Sequence, residues 1–469
     1  MDNLPPPLIL EILSRLTDSS DLARCRLACN TLNSISYDVT SINLVCSFDR
    51  YTKSRSSPSP SLITPFKSIV NNLIPKLSCL ESISIGVDKA LQELSYDDCD
   101  DDSDDLYLTD VDFVSCWLPA VAEGLKSLSF CDFWVQSCWR RSLVLSFISR
   151  NYMCRHIQWS PRTLILEVDM CTCQRLYELE VKNAWLSVEG VSTMSSLTTL
   201  TLEFVRIDDE DLAKLNECCP FLENLNLIGV GGLNEPTIHL QHLKRCWWIV
   251  SNVPLSLTIM APRLIKLKLQ CVTPRSLLLG TPMLSDFHLT LDKAGRISIG
   301  ALPFLKNLRL KLGYIHNFII AFPCAEAVNE LTLDTLDETE KAKGCYCNID
   351  ILFDVFPNMS SLNLGPGAYS EVEAAFGYGE FAGRVVMEGL KSLTAYLVIR
   401  DNNVTLSFIS LILSKCRNLS AVSLLIHREL NSTIANNVIT RCMAMCSTVQ
   451  WKWGIWKEGC KDDWLSDGH

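Results

Sequence analysis

Two histidines and a glycine-rich turn are the features of this chain that most resemble a catalytic or metal site. His239 and His242 lie three residues apart, but no glutamate stands between them as it does in the zinc-binding helix of metalloproteases. Residues 377–382 match the pattern G-x-G-x-x-A of a dinucleotide-binding turn. Such a turn must follow a strand, whereas residues 371–376 look helical. We therefore expect no catalytic residues, no metal and no cofactor.

The 22 cysteines could in principle bind zinc or act as nucleophiles. No Cys-x-x-Cys pair occurs, and no close pair has a histidine at zinc-finger spacing. Cys25 or Cys218 could act as a nucleophile only beside a distant histidine. The N-terminal sequence lacks the pattern of a secretory signal, and no apolar run is long enough for a membrane helix. We therefore expect reduced, packed thiols and a location in the cytoplasm and/or nucleus.

Composition narrows the class of protein further. Hydrophobic residues make up 48% of the 469 residues, which is enough for a large core. Acidic residues outnumber basic ones by 53 to 42, so the net charge is -11. Such a surface repels phosphate backbones, and we expect neither nucleic acid nor a membrane as partner.

The seven aspartates of residues 97–105 could bind calcium. An EF-hand loop that began at Asp98 would need glycine and glutamate where Ser103 and Thr109 stand. A solvated acidic loop is the better interpretation.

Leucines recur along most of the chain in the hexamer Leu-x-x-Leu-x-Leu, with other apolar residues allowed. Successive hits lie 20 to 25 residues apart and begin at Leu176, Leu197, Leu222, Leu243, Leu264, Leu284, Leu305 and Val328. Weaker hits begin at Leu80, Leu125, Met359, Leu390 and Leu419. This period is typical of leucine-rich repeats, each of which contributes one short strand. A single repeat cannot bury its apolar face alone, so neighbouring repeats must stack into a solenoid.

Two further marks refine the repeat. A proline, which cannot donate a ladder hydrogen bond, precedes several hexamers by two residues: Pro220, Pro262, Pro282, Pro303 and Pro357. The asparagine or cysteine that usually follows the hexamer is missing, because other residues stand there: Val205, Val230, Val272, Asp292 and Gly313. We expect an α/β fold, an irregular solenoid with a curved parallel sheet and helical or irregular return segments.

Residues 4–35 predict two short amphipathic helices. The first carries an apolar stripe at helical spacing: Leu8, Ile9, Ile12, Leu13 and Leu16. The second would align Leu22, Cys25, Cys29 and Leu32. About forty residues form too small a core to be stable alone, so the apolar surface of this segment needs a partner.

This N-terminal segment resembles the F-box. Leu4-Pro5 matches the opening of the family pattern, Ile12-Leu13-Ser14-Arg15-Leu16 its core, and Leu22 with Cys25-Arg26 its following segment. Asn30-Thr31-Leu32 stands where the family usually has Lys-x-Trp. With the repeats behind it, the chain resembles plant-type F-box proteins with leucine-rich repeats.

The resemblance implies a non-catalytic substrate-recognition subunit of an SCF-type (Skp, cullin, F-box) E3 ubiquitin ligase. In that family the F-box docks a Skp-type adaptor, and through it a cullin–RING ligase, while the repeats bind the protein to be ubiquitinated. The adaptor contacts would come from Leu4, Pro5, Leu8, Ile12, Leu13, Leu16 and Leu22. The alternatives are a plain helical cap on the solenoid, and a repeat scaffold or ligand sensor that acts outside a ubiquitin ligase.

The hexamers also predict a recognition surface. Side chains alternate along a strand, so the residue before the last apolar position points away from the core. In chain order these residues are Glu180, Thr201, Asn226, Trp247, Lys268, His288, Arg309 and Thr332. Lys266 and Lys311 flank the row on the same face. Trp and Arg are frequent interface hot spots, and cations are unexpected at such density in an acidic chain. We predict that an acidic substrate segment or an anionic cofactor binds Trp247, Lys266, Lys268, His288, Arg309 and Lys311, the alternative being ordinary solvated positions.

These patterns divide the chain into four parts. Residues 1–45 form the F-box, 46–75 a linker, and 76–447 the repeats with the acidic loop. Residues 448–469 form a C-terminal cap or tail, in which Val449, Trp451 and Trp453 alternate as in an end strand. A ligand site at the C-terminal tryptophans is the alternative interpretation.

Overall fold

A computed structural model describes the chain over residues 4–16, 19–47, 51, 64–88, 106–133, 137, 139–152, 176–250, 254–272, 274–292, 296–313, 315–322, 325–336, 347–377 and 386–464. The predicted acidic loop at 97–105 and much of the predicted linker lie outside these residues. Two compact units make up the chain, Met1–Leu243 and Lys244–His469. Within the described residues, no helix has the length and apolar character needed to cross a membrane.

The first unit contains eight α-helices and nine strands among its described residues. Its helices are α1 (Pro6–Ser14), α2 (Ser19–Ala28), α3 (Asn30–Ile35), α4 (Phe66–Leu73), α5 (Val111–Ser115), α6 (Leu118–Val121), α7 (Val144–Asn151) and α8 (Asp209–Cys218). Its strands are β1 (Ser41–Cys46), β2 (Ser82–Val87), β3 (Ser127–Cys131), β4 (Arg141–Ser142), β5 (Glu178–Lys182), β6 (Trp185–Leu186), β7 (Thr199–Glu203), β8 (Asn224–Ile228) and β9 (Thr237–His239). Strands β1, β2, β3, β5, β7 and β8 pair side by side in parallel, whereas β4 pairs with β6.

The second unit is also built from both helices and strands. Its helices are α9 (Ile315–Ala321), α10 (Ile349–Val355), α11 (Pro366–Gly377), α12 (Asn402–Lys415) and α13 (Ser432–Met445). Its strands are β10 (Arg245–Val250), β11 (Ser256–Met260), β12 (Lys266–Cys271), β13 (Ser276–Gly280), β14 (Asp286–Leu291), β15 (Arg296–Ile299), β16 (Asn307–Leu312), β17 (Glu330–Thr335), β18 (Ser361–Leu364), β19 (Ser392–Leu397), β20 (Ala421–His427), β21 (Gln450–Trp456) and β22 (Asp463–Trp464).

The hexamers define the main sheet of the second unit. Strands β10, β12, β14 and β16 to β21 pair in parallel, and β22 closes the end antiparallel to β21. The register keeps the repeats in phase, because Leu267, Phe287, Leu308 and Leu331 stand opposite one another. All four side chains are buried, so the predicted alternation of inward apolar and outward polar positions is confirmed.

The return segments differ from the prediction in one respect. Besides helices, the second unit uses strands, since β11, β13 and β15 form a second parallel sheet. The length of a repeat explains whether its return segment is a strand or a helix. Main-sheet strands from β10 to β16 begin 20 to 21 residues apart, whereas those from β17 to β21 begin 29 to 31 residues apart. The short repeats leave room only for a strand, and the alternating apolar residues of β11, such as Leu257 and Ile259, suit one.

A buried aspartate, Asp132, joins two segments of the first unit by hydrogen bonds. The Asp132 carboxylate accepts hydrogen bonds from the backbone N–H of Leu108 and, at 3.0 Å, of Thr109, and also from the Thr109 hydroxyl. The side-chain amide of Asn183 donates to the Asp132 carbonyl at 3.3 Å. Burial outweighs these donors and raises the pKa of Asp132 to about 7. The network thus ties Leu108 and Thr109 to the end of β3.

Candidate interaction surfaces

Helix α1 presents two different apolar faces. Pro6 occupies its first position, where the missing N–H costs nothing. Ile9 and Leu13, one turn apart, are buried, whereas Leu8 and Ile12 are 51% and 50% exposed. Leu4, just before the helix, is 40% exposed. The predicted stripe is therefore divided into an internal face and an external apolar face.

Two of the seven apolar residues predicted to contact an adaptor are buried within the chain. Leu13 and Leu22 are 2% and 5% exposed, because they fill the core of the small helical domain. Leu16 is half-buried, while Pro5 is exposed. Leu4, Pro5, Leu8 and Ile12 thus remain available to a partner, and Leu13 and Leu22 support the fold beneath them. This division was hidden in the sequence because both kinds of position follow helical spacing.

The described residues of the N-terminal domain form three α-helices, where two were expected. Helix α2 ends at Ala28, and Cys29 takes an extended backbone conformation as the N-cap of α3. The Cys29 Sγ atom accepts a hydrogen bond from the Leu32 N–H at 3.4 Å. Leu27, near the end of α2, is 89% exposed and lies outside the apolar stripes predicted from spacing. Leu27 joins the candidate contact residues.

In the second unit, the structure brings the predicted recognition residues onto one face of the main sheet. Trp247, Lys268, His288 and Arg309 stand opposite one another on β10, β12, β14 and β16. Each is at least partly exposed, and the apolar residues on either side of each are buried. The four side chains therefore form a continuous row across neighbouring strands, about 4.8 Å apart.

Cations dominate this face. The Lys268 ammonium lies 6.0 Å from the Trp247 ring centroid, within cation–π range. Lys311 lies 3.5 Å from an Asp334 carboxylate oxygen. In the described part of the chain, no carboxylate lies within salt-bridge distance of Lys266, Lys268 or Arg309. The charge of these three side chains is therefore not paired directly with any carboxylate of the described residues.

His288 reports the electrostatic potential of the row. Partial burial lowers the pKa of its imidazole, and the neighbouring cations Lys268 and Arg309 lower it further. Asp286, on the same strand, acts in the opposite direction but is outweighed. The contribution of these cations indicates a positive local potential at the centre of the row.

The corresponding face of the first unit is chemically different. There the polar side chains pair with one another: Asn226 donates to Thr201 at 2.9 Å, and Ser129 to Glu180 at 2.7 Å. The Lys182 ammonium lies 3.1 Å from Glu180 and 2.9 Å from Glu203. Glu180, Thr201 and Asn226, which the hexamers placed in the predicted row, thus have partners within the chain. Because these polar side chains already have hydrogen-bond and ion-pair partners within the chain, this face offers fewer available groups to an external ligand.

The C-terminal segment covers part of the main sheet in the second unit. Trp464 of β22 pairs with Gly454 of β21, and its ring lies 4.2 Å from the Lys452 ammonium. Asp462 accepts a hydrogen bond from the Tyr396 hydroxyl at 2.6 Å. The predicted end strand is confirmed in β21, where Trp453 is buried. The alternating tryptophans therefore pack the last repeat, and Asp462 and Trp464 contact side chains of β19 and β21.

In the structure, the histidines and cysteines considered as candidate catalytic or metal-binding residues lie on the surface or pack against neighbouring side chains. His239 lies 3.0 Å from the Gln241 amide, and His242 packs against the Phe221 ring at 5.2 Å. Over the described ranges, no three metal-ligating side chains cluster. Cys25 and Cys218 are half-buried, and burial raises the pKa of the Cys218 thiol. A raised pKa is the reverse of what a nucleophilic thiol needs.

Comparison with known proteins matches both parts of the chain. Residues 1–42 match the F-box-like family. Residues 136–282 match the family described as "FBD-associated F-box protein At5g56370, LRR repeats". The chain is also 45% identical over 473 residues to the F-box/LRR-repeat protein At4g29420 of Arabidopsis thaliana, an alignment that covers 99% of this chain and 100% of that protein.

The helical N-terminal domain, the in-phase repeats and the full-length similarity agree with one another. Proteins of this kind are generally non-catalytic adaptors, in which an F-box supports binding to a Skp-type protein. The chain belongs to the F-box/LRR-repeat protein family.

Proposed function

We propose that this protein is the substrate-recognition subunit of an SCF-type E3 ubiquitin ligase. Its F-box docks a Skp-type adaptor and thereby a cullin–RING ligase, and its repeats bind the protein to be ubiquitinated. The observation that carries this proposal is the external face of α1. Leu4, Leu8 and Ile12 are apolar and at least 40% exposed, and Leu8 and Ile12 lie on a helix whose other side is buried. Such a surface on so small a domain is suited to a protein partner.

The adaptor interaction is tested by co-purification. The full chain is co-expressed with a Skp-type adaptor, and the wild type is compared with a Leu4→Ala/Pro5→Ala variant. We expect the wild type to retain the adaptor and the variant to lose it while its thermal unfolding stays the same. Undiminished capture by a folded variant would contradict the assignment.

The repeats supply the substrate site, which we place on Trp247, Lys266, Lys268, His288, Arg309 and Lys311. Three of these cations have no carboxylate partner among the described residues, and charge complementarity favours an acidic segment of the substrate. Capture of ubiquitinated proteins by wild type and by a Trp247→Ala/Lys268→Ala/Arg309→Ala variant tests the site. An unchanged set of proteins would place recognition elsewhere.

The second candidate function is a repeat scaffold that acts outside a ubiquitin ligase. It predicts that the adaptor does not co-purify with the wild-type chain, so the first experiment separates the two functions. The proposed ligase role also suits a location in the cytoplasm and/or nucleus, which fluorescence microscopy of a tagged full chain would test.

A further inference from the structure

The outward face of the main sheet in the second unit changes at its C-terminal end. On strands β10, β12, β14 and β16 to β19, every outward side chain is at least partly exposed. Leu425 on β20 and Trp456 on β21 also hold outward positions in the strand alternation, yet they are 0% and 5% exposed. Another segment of the chain must therefore lie over these two apolar side chains.

The covering segment consists of residues 460–464, which we call the C-terminal strap. It pairs antiparallel with the free edge of β21. In this pairing Trp464 stands opposite Gly454, and Gly454 stands opposite Leu425 of β20. The three residues thus form one row across the end of the sheet.

A glycine lets the strap approach the sheet closely. A Cβ atom at Gly454 would lie 3.0 Å from Cε3 of Trp464 and 3.4 Å from Cδ2 of Leu425. The indole and the leucine side chain therefore both occupy the space over position 454, from which a larger residue would displace them. Gly454 is itself buried.

Two polar contacts add specificity to this pocket. The Tyr396 hydroxyl on β19 donates to Asp462 Oδ2 at 2.6 Å, and the Lys452 ammonium lies 4.2 Å from the Trp464 ring centroid. Burial and the Asp462 carboxylate raise the pKa of Tyr396 to about 12, so its hydroxyl keeps its proton at neutral pH. The pocket thus fits an aspartate that stands two residues before a tryptophan.

The strap is held weakly compared with the strands beside it. Its pairing involves two of the seven residues of β21, whereas β20 pairs with β21 along all seven. Trp464 stays 36% exposed, and residues 460–463 are exposed as well. Segments with few buried contacts open locally at far lower free energy than the core. The strap should therefore detach while the solenoid stays folded.

Detachment uncovers a site with an apolar base. Leu425 and Trp456 would face water, and Tyr396 and Lys452 would lose their contacts with the strap. Exposing apolar side chains to water is unfavourable, so the open pocket favours any segment that covers them again.

We propose that the C-terminal strap is an autoinhibitory segment. It fills a pocket on β19 to β21 that fits an aspartate two residues before a tryptophan, and it must detach before a protein segment of the same chemistry can enter. The device goes beyond the proposed ligase function, because it controls access to the last strands and involves none of the recognition residues on β10 to β16.

The test uses the full chain and a fluorescein-labelled peptide of residues 458–466 that carries Cys460→Ser. Fluorescence anisotropy compares the wild type with Asp462→Ala/Trp464→Ala, an open variant whose own strap lacks both anchors. We expect the open variant to bind the peptide at least about tenfold more tightly, because its pocket is not already occupied. Equal affinities, or no binding by the open variant, would overturn the proposal.

Matched substitutions in the open variant locate the pocket. Tyr396→Phe and Lys452→Ala should each weaken peptide binding by about threefold or more, since each removes one anchor. Lys391→Ala removes an exposed charge just before β19 and should leave binding unchanged. A peptide that carries Trp464→Ala should not bind. Equal losses for Lys452→Ala and Lys391→Ala would reduce the interaction to net charge and overturn the pocket.

Hydrogen exchange of the wild-type chain tests detachment without any variant. Amides of the strap should exchange at least about 100-fold faster than those of β20. Equal protection would make the strap a permanent cap and overturn its regulatory role. None of these experiments uses adaptor capture as its readout, so their outcome is independent of the proposed ligase function.

Discussion

The Arg141 guanidinium lies 2.7 Å from Oδ2 of Asp211, a carboxylate whose side chain is only 2% exposed. Asp211 also accepts the Val188 N–H at 2.9 Å and takes part in the capping box at the start of α8. One carboxylate thus connects β4, the segment after β6 and helix α8. Its partners are a half-exposed guanidinium and backbone donors, which keeps the buried charge fully satisfied.

Replacing this carboxylate should destabilise the first unit. Asp211→Ala removes the N3 carboxylate of the capping box and leaves the Val188 N–H without this acceptor, so we expect a loss of about 2–4 kcal/mol in the free energy of unfolding. Urea denaturation followed by circular dichroism measures the loss. Glu210→Ala, in the same helical turn but exposed, is the matched control and should change stability by less than about 0.5 kcal/mol. Similar effects of the two substitutions would refute the role assigned to Asp211.

Asp132 should make stability depend on pH. The folded pKa of this carboxyl, about 7, lies above its ordinary value of 3.8. The folded state therefore holds the proton more tightly, and the stabilisation is complete below pH 4 and lost as pH rises through 7. Asp132→Asn keeps a hydrogen-bonding amide but cannot ionise. We expect the variant to gain stability relative to wild type, on the order of a few kcal/mol, between pH 4 and 8. Unfolding curves that differ by a constant amount at every pH would contradict this.

The two faces of α1 should respond differently to substitution. Leu8→Ala/Ile12→Ala removes exposed apolar side chains, so the fold should persist while adaptor affinity falls by a factor of about 100 or more. Leu13→Ala creates a cavity in the N-terminal domain and should lower its stability by about 2–5 kcal/mol. Surface plasmon resonance and thermal unfolding separate the two effects. If Leu8→Ala/Ile12→Ala bound the adaptor like wild type, the external face would not be the docking surface.

Gly454 should be required for the C-terminal hairpin. A Cβ atom at this position would lie 3.0 Å from Cε3 of Trp464 and 3.2 Å from the Asp463 carbonyl oxygen. Gly454→Val should therefore displace β22 and speed trypsin cleavage after Lys457 or Lys461. Gly231→Ala is the control, because a Cβ atom there meets nothing within 4 Å. Identical digestion of Gly454→Val and wild type would show that the hairpin is held by other contacts.

The sequence predicted those features that repeat with a fixed period. Leucines such as Leu267 and Leu308 recur in phase, so the strands and their inward faces followed directly from spacing. Features set by tertiary context were not predictable in this way. The helix break at Cys29 and the burial of Leu13 depend on how three short helices pack. Likewise, Lys182 on β5 forms an ion pair with Glu203 only because β7 lies beside β5 in the sheet.

The change of return segment within the second unit has a mechanical consequence. Where β11, β13 and β15 stand behind the main sheet, both layers have the same spacing of about 4.8 Å per repeat, because both are held by strand hydrogen bonds. Helices need 8–10 Å per repeat, so the helical repeats must fan apart on one side. The double-layered portion therefore resists bending, and it is the portion that holds Lys268, His288 and Arg309. The spacing between these side chains should therefore stay constant when the helical repeats flex.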